Sequence, residues 1–268
     1  MEADNMDLRA TELSLSYDGD RIVDGLDLEI PTGRITVIVG PNACGKSTLL
    51  RGLSRLMRPD SGVVTLGERD IRSINAKQLA TQVGLLPQQP IAPEGITVGD
   101  LVGRGRYPHQ GIFRQWTATD DTAVAHALTV TGTLELAGRR VEELSGGQRQ
   151  RVWIAMALAQ DTGILLLDEP TTFLDVAHQI EVLDLLHDLN QTRGTTIVMV
   201  LHDLNLAARY ADHIVVMANG AIVTAGEPRS VITAETVTSA FGLECVVIDD
   251  PLYGSPLVVP RGRFPLAP

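Results

Sequence analysis

A turn between an apolar run and a helix contains the residue types that bind polyphosphates. It follows Val37-Ile38-Val39 and fits the pattern G-x-x-x-x-G-K-[ST] with Gly40, Pro41, Asn42, Ala43, Cys44, Gly45, Lys46, Ser47 and Thr48. Glycines let the backbone approach a phosphate closely, and the N-terminus of the following helix carries partial positive charge. Lys46 would add a full charge for the β- and γ-phosphates, and the Ser47 hydroxyl would ligate Mg²⁺. The alternative is a strand-turn-helix that needs its glycines only for geometry.

Two adjacent acids follow a second apolar run. Ile164-Leu165-Leu166-Leu167 predicts a central parallel strand buried on both faces, and Asp168 and Glu169 stand at its carboxyl end. Ligands bind at the carboxyl ends of strands in such sheets. Asp168 would hold Mg²⁺ through its water shell, while Glu169 would orient the attacking water and accept its proton. The alternative is that both acids merely face solvent.

Three further residues could complete such a site. His202 follows the predicted strand Thr195 to Leu201, on the same ligand side as the two acids, and is suited to contact a γ-phosphate. Gln88 follows the strand that starts at Val83, although a glutamine in a loop is usually just solvated. Tyr17, at the end of an N-terminal hairpin, is either a half-buried edge aromatic or a ring that stacks on adenine.

A second helix start is also suited to anions. The chain reads Leu144, Ser145, Gly146, Gly147 and Gln148 before an apolar helix. Ser145 is a good helix N-cap, and the glycine pair leaves the first N–H groups unshielded. Glycine in a helix costs up to about 1 kcal/mol relative to alanine. We therefore predict that this helix N-terminus has a function beyond capping.

The elements around these residues predict an α/β domain. Leu8 to Ile30 alternate apolar and polar residues around Asp18-Gly19-Asp20, which predicts an antiparallel hairpin ahead of the phosphate loop. Ile71 to Ala80 predicts a short helix. Apolar residues recur every three or four positions from Val176 to Thr192, which predicts an amphipathic helix that ends at Gly194.

The segment from Ile96 to Gln160 predicts a helical insertion into that domain. Val98 to Gly103 and Thr119 to Thr131 are helical in pattern, and Thr117-x-x-Asp120 fits a capping box. Between the two helices lies Arg104-Gly105-Arg106-Tyr107-Pro108-His109, which is basic and aromatic in an otherwise acidic protein. This hexapeptide is either a solvated loop or a docking surface for another protein.

Bulk composition excludes several classes of protein. The chain has 268 residues and a formal net charge of -11, which argues against broad binding to DNA or RNA. No apolar run approaches the roughly 18 to 20 residues that cross a bilayer, and no export signal is expected. The two cysteines, Cys44 and Cys245, form no disulfide framework. We therefore expect a cytoplasmic protein that does not itself span a membrane.

These motifs, in this order, resemble the ATP-binding subunit of ABC transporters from Leu8 to about Ile232. The phosphate loop is similar to the family's Walker A motif, residues 144–148 to its LSGGQ signature and residues 164–169 to its Walker B motif. The remaining matches are to the Q-loop, the D-loop, the switch histidine and the adenine-stacking aromatic, at Gln88, Asp175, His202 and Tyr17. Ala43 departs from the glycine often found there, and alanine tolerates fewer backbone angles than glycine.

The resemblance implies a fold and a domain organisation. The fold is an α/β P-loop NTPase core with an N-terminal antiparallel β subdomain and an inserted α-helical subdomain. It implies an ATP-binding domain over residues 1–232, with the helical subdomain at about 96–160, and a short C-terminal extension over residues 233–268.

The resemblance to ABC transporter ATPases also implies a mechanism. Two subunits close head-to-tail around two ATP, so that the signature helix of one caps the γ-phosphate held by the other, with Asp175 in the dimer loop. Glu169, His202 and Gln88 are the catalytic residues, and the Mg²⁺ ligands are Ser47, Gln88 and Asp168. The expected partners are membrane permease subunits and, indirectly, a periplasmic or lipoprotein substrate-binding protein. The expected location is the cytoplasmic face of the membrane.

The subfamily is indicated by shorter stretches. Gly84 to Gln88, Glu94 to Val98, Gly105 to Pro108 and His202 to Tyr210 are similar to ATPases of bacterial importers for ferric siderophores, ferric dicitrate, haem or cobalamin. We predict a ferric siderophore importer. The alternatives are an importer for cobalamin or haem, an exporter with a separate membrane subunit, a non-enzymatic nucleotide sensor, and a non-transport ABC ATPase acting on ribosomes, DNA or iron–sulfur assembly.

Overall fold

The computed structural model describes residues 7–111, 116–172 and 174–262. In chain order the strands are β1 (Leu8–Tyr17), β2 (Asp20–Ile30), β3 (Ile35–Val39), β4 (Ser61–Leu66), β5 (Arg69–Asp70), β6 (Val83–Leu86), β7 (Ile164–Leu167), β8 (Thr196–Val200), β9 (His213–Ala218), β10 (Ala221–Gly226), β11 (Cys245–Asp249) and β12 (Pro256–Pro260). The α-helices are α1 (Lys46–Leu53), α2 (Ala76–Ala80), α3 (Val98–Gly103), α4 (Ala118–Val130), α5 (Gly146–Ala159), α6 (Val176–Arg193), α7 (Leu204–Tyr210), α8 (Pro228–Val231) and α9 (Ala234–Phe241). Contacts group the described residues into two compact units, a first unit within residues 7–67 and 200–262 and a second unit within residues 68–199.

The first unit contains the predicted N-terminal hairpin and the strand that leads into the phosphate loop. Strand β1 pairs antiparallel with both β2 and β4, so that Leu8 lies opposite Ile30 on one side and Leu66 on the other. This confirms the antiparallel β subdomain. Strand β3 is buried along its whole length and runs parallel to β9, which pairs antiparallel with β10. The phosphate loop therefore leaves the carboxyl end of a strand inside a sheet.

The second unit is built on three parallel strands. Val83 of β6 lies opposite Ile164 of β7, which lies opposite Thr196 of β8. All four residues of β7 are buried, as a strand covered on both faces requires. Parallel neighbours need a long crossover, and the helical segment between β6 and β7 provides it.

The helical insertion has the predicted helices and caps. Helices α3 and α4 both pack against α5. A capping box starts α4, in which the Thr117 side chain accepts from the Asp120 backbone and the Asp120 carboxylate accepts from the Thr117 backbone. This reciprocal arrangement satisfies two of the N–H groups that a helix start leaves unpaired.

The basic hexapeptide is helical rather than a loop, and one of its two arginines is buried. Residues Arg104–His109 form a 3-10 helix, and Arg106 is only 4% exposed. Its Nε donates to Asp120 Oδ1 at 2.9 Å, and its Nη1 donates to the carbonyl oxygen of Ala159 at 2.9 Å. The docking interpretation is therefore wrong for Arg106. Tyr107 is 47% exposed, and a docking role for its ring stays a prediction.

The short helix predicted over residues 71–80 is confined to α2. The Asp70 carboxylate accepts from the Arg72 backbone N–H at 2.8 Å, which holds the preceding residues in a turn. Asn75 then caps α2, because its side chain accepts from the Lys77 backbone N–H at 2.9 Å. Asp and Asn side chains compete with helical hydrogen bonds in this way. The sequence prediction therefore starts this helix too early, because α2 begins only after its cap at Asn75.

The predicted limits of the ATP-binding domain (residues 1–232), its helical subdomain (about 96–160) and the C-terminal extension (233–268) stay predictions. Their terminal residues, 1–6 and 263–268, lie outside the described ranges. The described part of the extension contains α9 and the antiparallel hairpin of β11 and β12. Within residues 7–111, 116–172 and 174–262, no helix is long and apolar enough to cross a membrane.

Candidate nucleotide-binding site

In the first unit, Lys46 folds back over the phosphate loop. Its Nζ donates to the carbonyl oxygens of Gly40 and Pro41, both at 2.8 Å, and lies 3.9 Å from Cys44 Sγ. The residue is only 5% exposed. Two neutral carbonyls satisfy part of the ammonium's hydrogen-bonding capacity without neutralising its charge. A full positive charge is therefore fixed at the turn, where a phosphate group would be attracted.

The backbone of the phosphate loop is braced by the turn between β9 and β10. The Gly220 N–H donates to the Cys44 carbonyl oxygen at 3.1 Å. At Gly40, a Cβ atom would lie 2.2 Å from the carbonyl oxygen of Met217 and 2.8 Å from Cys44 Sγ. Real Cβ atoms essentially never approach a backbone atom that closely. Glycine is thus required at position 40 because of close packing against β9.

We expect Gly40→Ala to weaken ATP binding about tenfold or more and to lower the free energy of unfolding by about 1–3 kcal/mol, since overpacking must displace β3 or β9. Isothermal titration calorimetry with ATP and urea unfolding would measure the two effects. Gly138→Ala is the matched control, because a Cβ there would meet nothing within 4 Å. Unchanged ATP affinity in Gly40→Ala would show that the β9 carbonyl gives way without moving the loop.

Ala43 adopts a backbone conformation that is unusual for its type. Its φ is 61°, in the left-handed region that favours glycine. A left-handed alanine costs roughly 1–2 kcal/mol. The loop therefore keeps the conformation for which glycine is better suited, and the surrounding structure stabilises it.

His202 and Tyr17 also belong to the first unit. His202 is exposed and follows Leu201, whose N–H donates to the Ile38 carbonyl oxygen of β3 at 3.2 Å. The chain before His202 is thereby bound to the strand that runs into the phosphate loop. Tyr17 is 41% exposed, and its Oη accepts from Arg51 Nη1 at 2.7 Å. Its position agrees with both interpretations, an edge aromatic and a stacking ring.

The second unit brings Gln88, Asp168 and Glu169 to one sheet edge. Leu86 lies opposite Leu167 in the parallel pair of β6 and β7, so both chains leave the sheet at the same level. The Asp168 N–H continues the ladder by donating to the Leu86 carbonyl oxygen at 2.9 Å. Asp168 is 3% exposed, whereas Gln88 is exposed.

Glu169 has a strained backbone and an oriented side chain. Its φ is 53°, which is uncommon outside glycine and, in structures generally, recurs at active sites. Thr172 Oγ1 donates to Glu169 Oε2 at 2.9 Å. The hydrogen bond orients the carboxylate, and this orientation together with the strained backbone supports a functional role for Glu169.

The signature residues start α5 as predicted. Ser145 Oγ accepts from the Gln148 N–H at 3.3 Å, and Gln148 Oε1 accepts from the Ser145 N–H at 3.1 Å, which forms a capping box. A Cβ at Gly147 would lie 3.4 Å from the His178 ring. Gln150 Nε2 donates to the Pro170 carbonyl oxygen at 2.8 Å. The signature helix is therefore attached to the turn that directly follows Glu169.

Asp175 caps α6. Its Oδ1 accepts from the His178 N–H at 2.9 Å and contacts His178 Nδ1 at 2.7 Å. The His178 backbone N–H, and after it the His178 side chain, hold the pKa of Asp175 below its usual range. Because the pKa is lowered in the folded state, the cap stabilises the helix at neutral pH and is lost as the pH falls through the folded value.

A comparison with known protein families shows which family this chain belongs to. The family profile described as ABC transporter matches residues 23–172, more than half of the chain. The chain belongs to the ABC transporter family. The matched range of this ABC ATPase contains the phosphate loop, Gln88, the signature and both Walker B acids, and it ends before Asp175 and His202. Membership establishes the P-loop NTPase fold, ATP binding and ATPase activity.

Individual relatives cover nearly the whole ABC ATPase. It is 54% identical over 256 residues to the petrobactin import ATP-binding protein FpuD of Bacillus anthracis, covering 96% of this chain and 94% of that protein. Identity to the ferric enterobactin transport ATP-binding protein FepC of Escherichia coli strain K12 is 52% over 256 residues, with the same coverage. The fold resembles an inward-facing ABC transporter structure of the metal-chelate type, with a TM-score of 0.83, 31% identity, and coverage of 97% of this chain and 99% of that one.

Sequence reasoning missed several residues that the structure places beside the predicted site residues of each unit. Thr172 holds Glu169, Gln150 holds Pro170, and the Gly220 turn braces the phosphate loop. Only Thr172 had a usable signal, because Ser and Thr hydroxyls in turns form hydrogen bonds to groups nearby in the chain. The other two act on residues that are distant in the sequence.

Proposed function

We propose that this ABC ATPase is the ATP-hydrolysing subunit of a bacterial importer for ferric siderophores. The observation that carries this proposal is the 54% and 52% identity, over 96% of the chain, to ATP-binding proteins named for petrobactin import and ferric enterobactin transport. A third relative, 54% identical over 94% of this chain, is described as a probable siderophore transport system ATP-binding protein of Bacillus subtilis. The proposal therefore names the class of cargo, not one siderophore. No residue of the chain is proposed to touch the cargo itself.

ATP binding is assigned to the phosphate loop and the exposed aromatic before it. Tyr17 would stack on the adenine, and the backbone and Lys46 would hold the phosphates. The proposed Mg²⁺ ligands are Ser47, Gln88 and Asp168. Hydroxyl, amide and carboxylate oxygens are the hard donors that Mg²⁺ prefers, so this donor set fits the ion. Bound Mg²⁺ would neutralise charge on the β- and γ-phosphates.

Hydrolysis is assigned to Glu169, His202 and Gln88. Glu169 accepts a proton from water as the water oxygen attacks the γ-phosphorus, and the bond to the β-phosphate oxygen breaks to give ADP and phosphate. His202 contacts the γ-phosphate and stabilises charge that develops there. Gln88 orients the water and the metal, and its loop passes the change to a partner. Thr172 keeps the Glu169 carboxylate oriented through its hydrogen bond.

The working form is proposed to be a homodimer. One chain has one complete set of catalytic residues but two anion-binding helix starts, at α1 and α5. Head-to-tail closure explains the second anion-binding helix start, because residues 144–148 of one subunit then cap the ATP held by the other. Asp175 would contact the partner in the dimer loop.

The proposed partners are permease subunits that span the membrane, with a periplasmic or lipoprotein substrate-binding protein acting indirectly. The ABC ATPase would lie peripherally on the cytoplasmic face, bound to the permease. The net charge of -11 supports a protein partner rather than a nucleic acid.

Uptake of radioactive iron tests this function. Deleting the gene from its own cells is expected to abolish uptake of a ferric siderophore and to leave cobalamin uptake unchanged. The wild-type chain and the control Lys77→Ala should restore uptake, whereas Lys46→Ala should not, because Lys46 holds the phosphates. Loss of cobalamin uptake with retention of siderophore uptake would contradict the proposed cargo.

A further inference from the structure

The C-terminal hairpin of β11 and β12 is hydrogen-bonded to α7 through the side-chain amide of Asn205, which pairs with the backbone of β12 as a neighbouring strand would. Asn205 Oδ1 accepts from the Val258 N–H at 2.7 Å, and Asn205 Nδ2 donates to the Val258 carbonyl oxygen at 3.3 Å. Val258 is 6% exposed. One amide therefore satisfies both backbone groups of a buried residue that lies 53 positions away in the sequence.

A second link is formed one helical turn later. Arg209 Nη2 donates to Asp250 Oδ2 at 2.9 Å, and its guanidinium lies 4.1 Å from the centre of the Tyr253 ring. Asp250 also accepts from the backbone N–H groups of Leu252 and Tyr253, so the hairpin loop is built around this carboxylate. Residues four apart share one face of a helix. Both links therefore hold the same face of α7 against the hairpin.

The helix held in this way begins directly after His202. Asp203 caps α7 by accepting from the N–H groups of Asn205 and Leu206 at 2.8 and 2.9 Å. On the other side of His202, the Leu201 N–H is bound to β3. The histidine thus lies between two anchored segments, and any slide or rotation of α7 would move it.

We propose that the C-terminal hairpin is a clamp that positions His202, with Asn205 and Arg209 as its positioning residues. This rests on the proposed role of His202 at the γ-phosphate. A displacement of about 1 Å at a reacting group can cost about 10²-fold in rate, so a loosened α7 would slow hydrolysis without touching the nucleotide. The clamp gives the C-terminal extension a function in the ATPase reaction.

The test is steady-state ATPase kinetics of the full chain with Asn205→Leu, which keeps a similar volume and removes both hydrogen bonds. We expect kcat to fall about tenfold, with KM for ATP changed less than about twofold, because the ATP-contacting residues are untouched. Arg209→Met removes the other link and should also lower kcat. In a His202→Ala background, Asn205→Leu should cause no further loss, since it acts through the histidine.

Arg229→Met is the matched control. Arg229 on α8 makes an ion pair with Asp249 of the same hairpin, Nη1 to Oδ1 at 2.9 Å, and hydrogen bonds to the Gly254 carbonyl. Neither of these bonds reaches α7, so kcat should stay at the wild-type value. Urea unfolding of each variant would show that the chain is folded.

Three results would overturn the clamp: wild-type kcat in both Asn205→Leu and Arg209→Met, an equal loss in Arg229→Met, or a further loss in the His202→Ala background. The His202→Ala variant alone distinguishes failure of the role proposed for His202 from failure of the clamp. If His202→Ala itself hydrolyses ATP at the normal rate, the role proposed for His202 fails, whereas loss in His202→Ala with normal clamp variants refutes only the clamp.

Discussion

Replacing Glu169 by glutamine is expected to reduce ATP turnover by about 10²–10⁴-fold while ATP still binds. The amide has the same shape and can still accept the hydrogen bond from Thr172 Oγ1, which is 2.9 Å from Glu169 Oε2 in the structure. It cannot accept a proton from the attacking water. The variant therefore removes the general base but keeps a side chain of the same shape in its place. The rate of phosphate release at saturating ATP would measure the loss of turnover.

The same variant should accumulate the closed state. Because hydrolysis opens the dimer in the proposed cycle, Glu169→Gln should run as a dimer with ATP and Mg²⁺ and as a monomer with ADP, measured by size exclusion with light scattering. Glu135→Gln, at an exposed position of the helical insertion, is the control and should behave like the wild type. Undiminished turnover in Glu169→Gln would show that Glu169 is not the general base. Lost turnover without an ATP-dependent dimer would contradict head-to-tail closure.

Arg106→Met is expected to lower the free energy of unfolding by about 3–5 kcal/mol, because it leaves the Asp120 carboxylate buried without its cation. Both side chains of this ion pair are only 5% exposed. The variant also loses the hydrogen bond from Arg106 to the Ala159 carbonyl oxygen, which joins the 3-10 helix to the end of α5. Urea unfolding at pH 7 would measure the effect.

The pH dependence of that variant gives a sharper test. Arg106 holds the pKa of Asp120 below its usual range, against the opposing effect of burial. In the wild type this stabilisation is present at neutral pH and is lost only as the pH falls through the lowered pKa. Without Arg106, only the Thr117 hydrogen bonds oppose the effect of burial, so the pKa of Asp120 is higher than in the wild type and acid removes the unpaired charge at a higher pH. The stability gap between the two proteins should therefore narrow as the pH falls.

The exposed pair Arg72 and Asp70 provides the control for that experiment. Their side chains are 44% and 32% exposed, and solvent screens such pairs strongly. Arg72→Met should thus change the stability far less than Arg106→Met. Equal effects of the two substitutions would mean that burial of the Arg106 pair does not matter.

The amino-acid sequence by itself determined the local parts of this protein. The phosphate loop, the N-terminal hairpin and the four-residue strand β7 are each set by a pattern inside one segment. The caps at Thr117 and Ser145 were readable for the same reason, since donor and acceptor lie three residues apart. Such features depend on backbone geometry and periodicity, which a short window of sequence contains.

Only the tertiary structure decided which of the chemically notable residues are buried or held by distant partners. Charged residues are mostly exposed, which predicts Arg106 at the surface, yet it is buried and paired with a carboxylate fourteen positions away. The need for glycine at position 40 arises from a carbonyl of β9, and the link from Asn205 to Val258 spans the C-terminal extension. Burial and close approach depend on partners that are distant in the chain, and no local pattern encodes where those partners will lie.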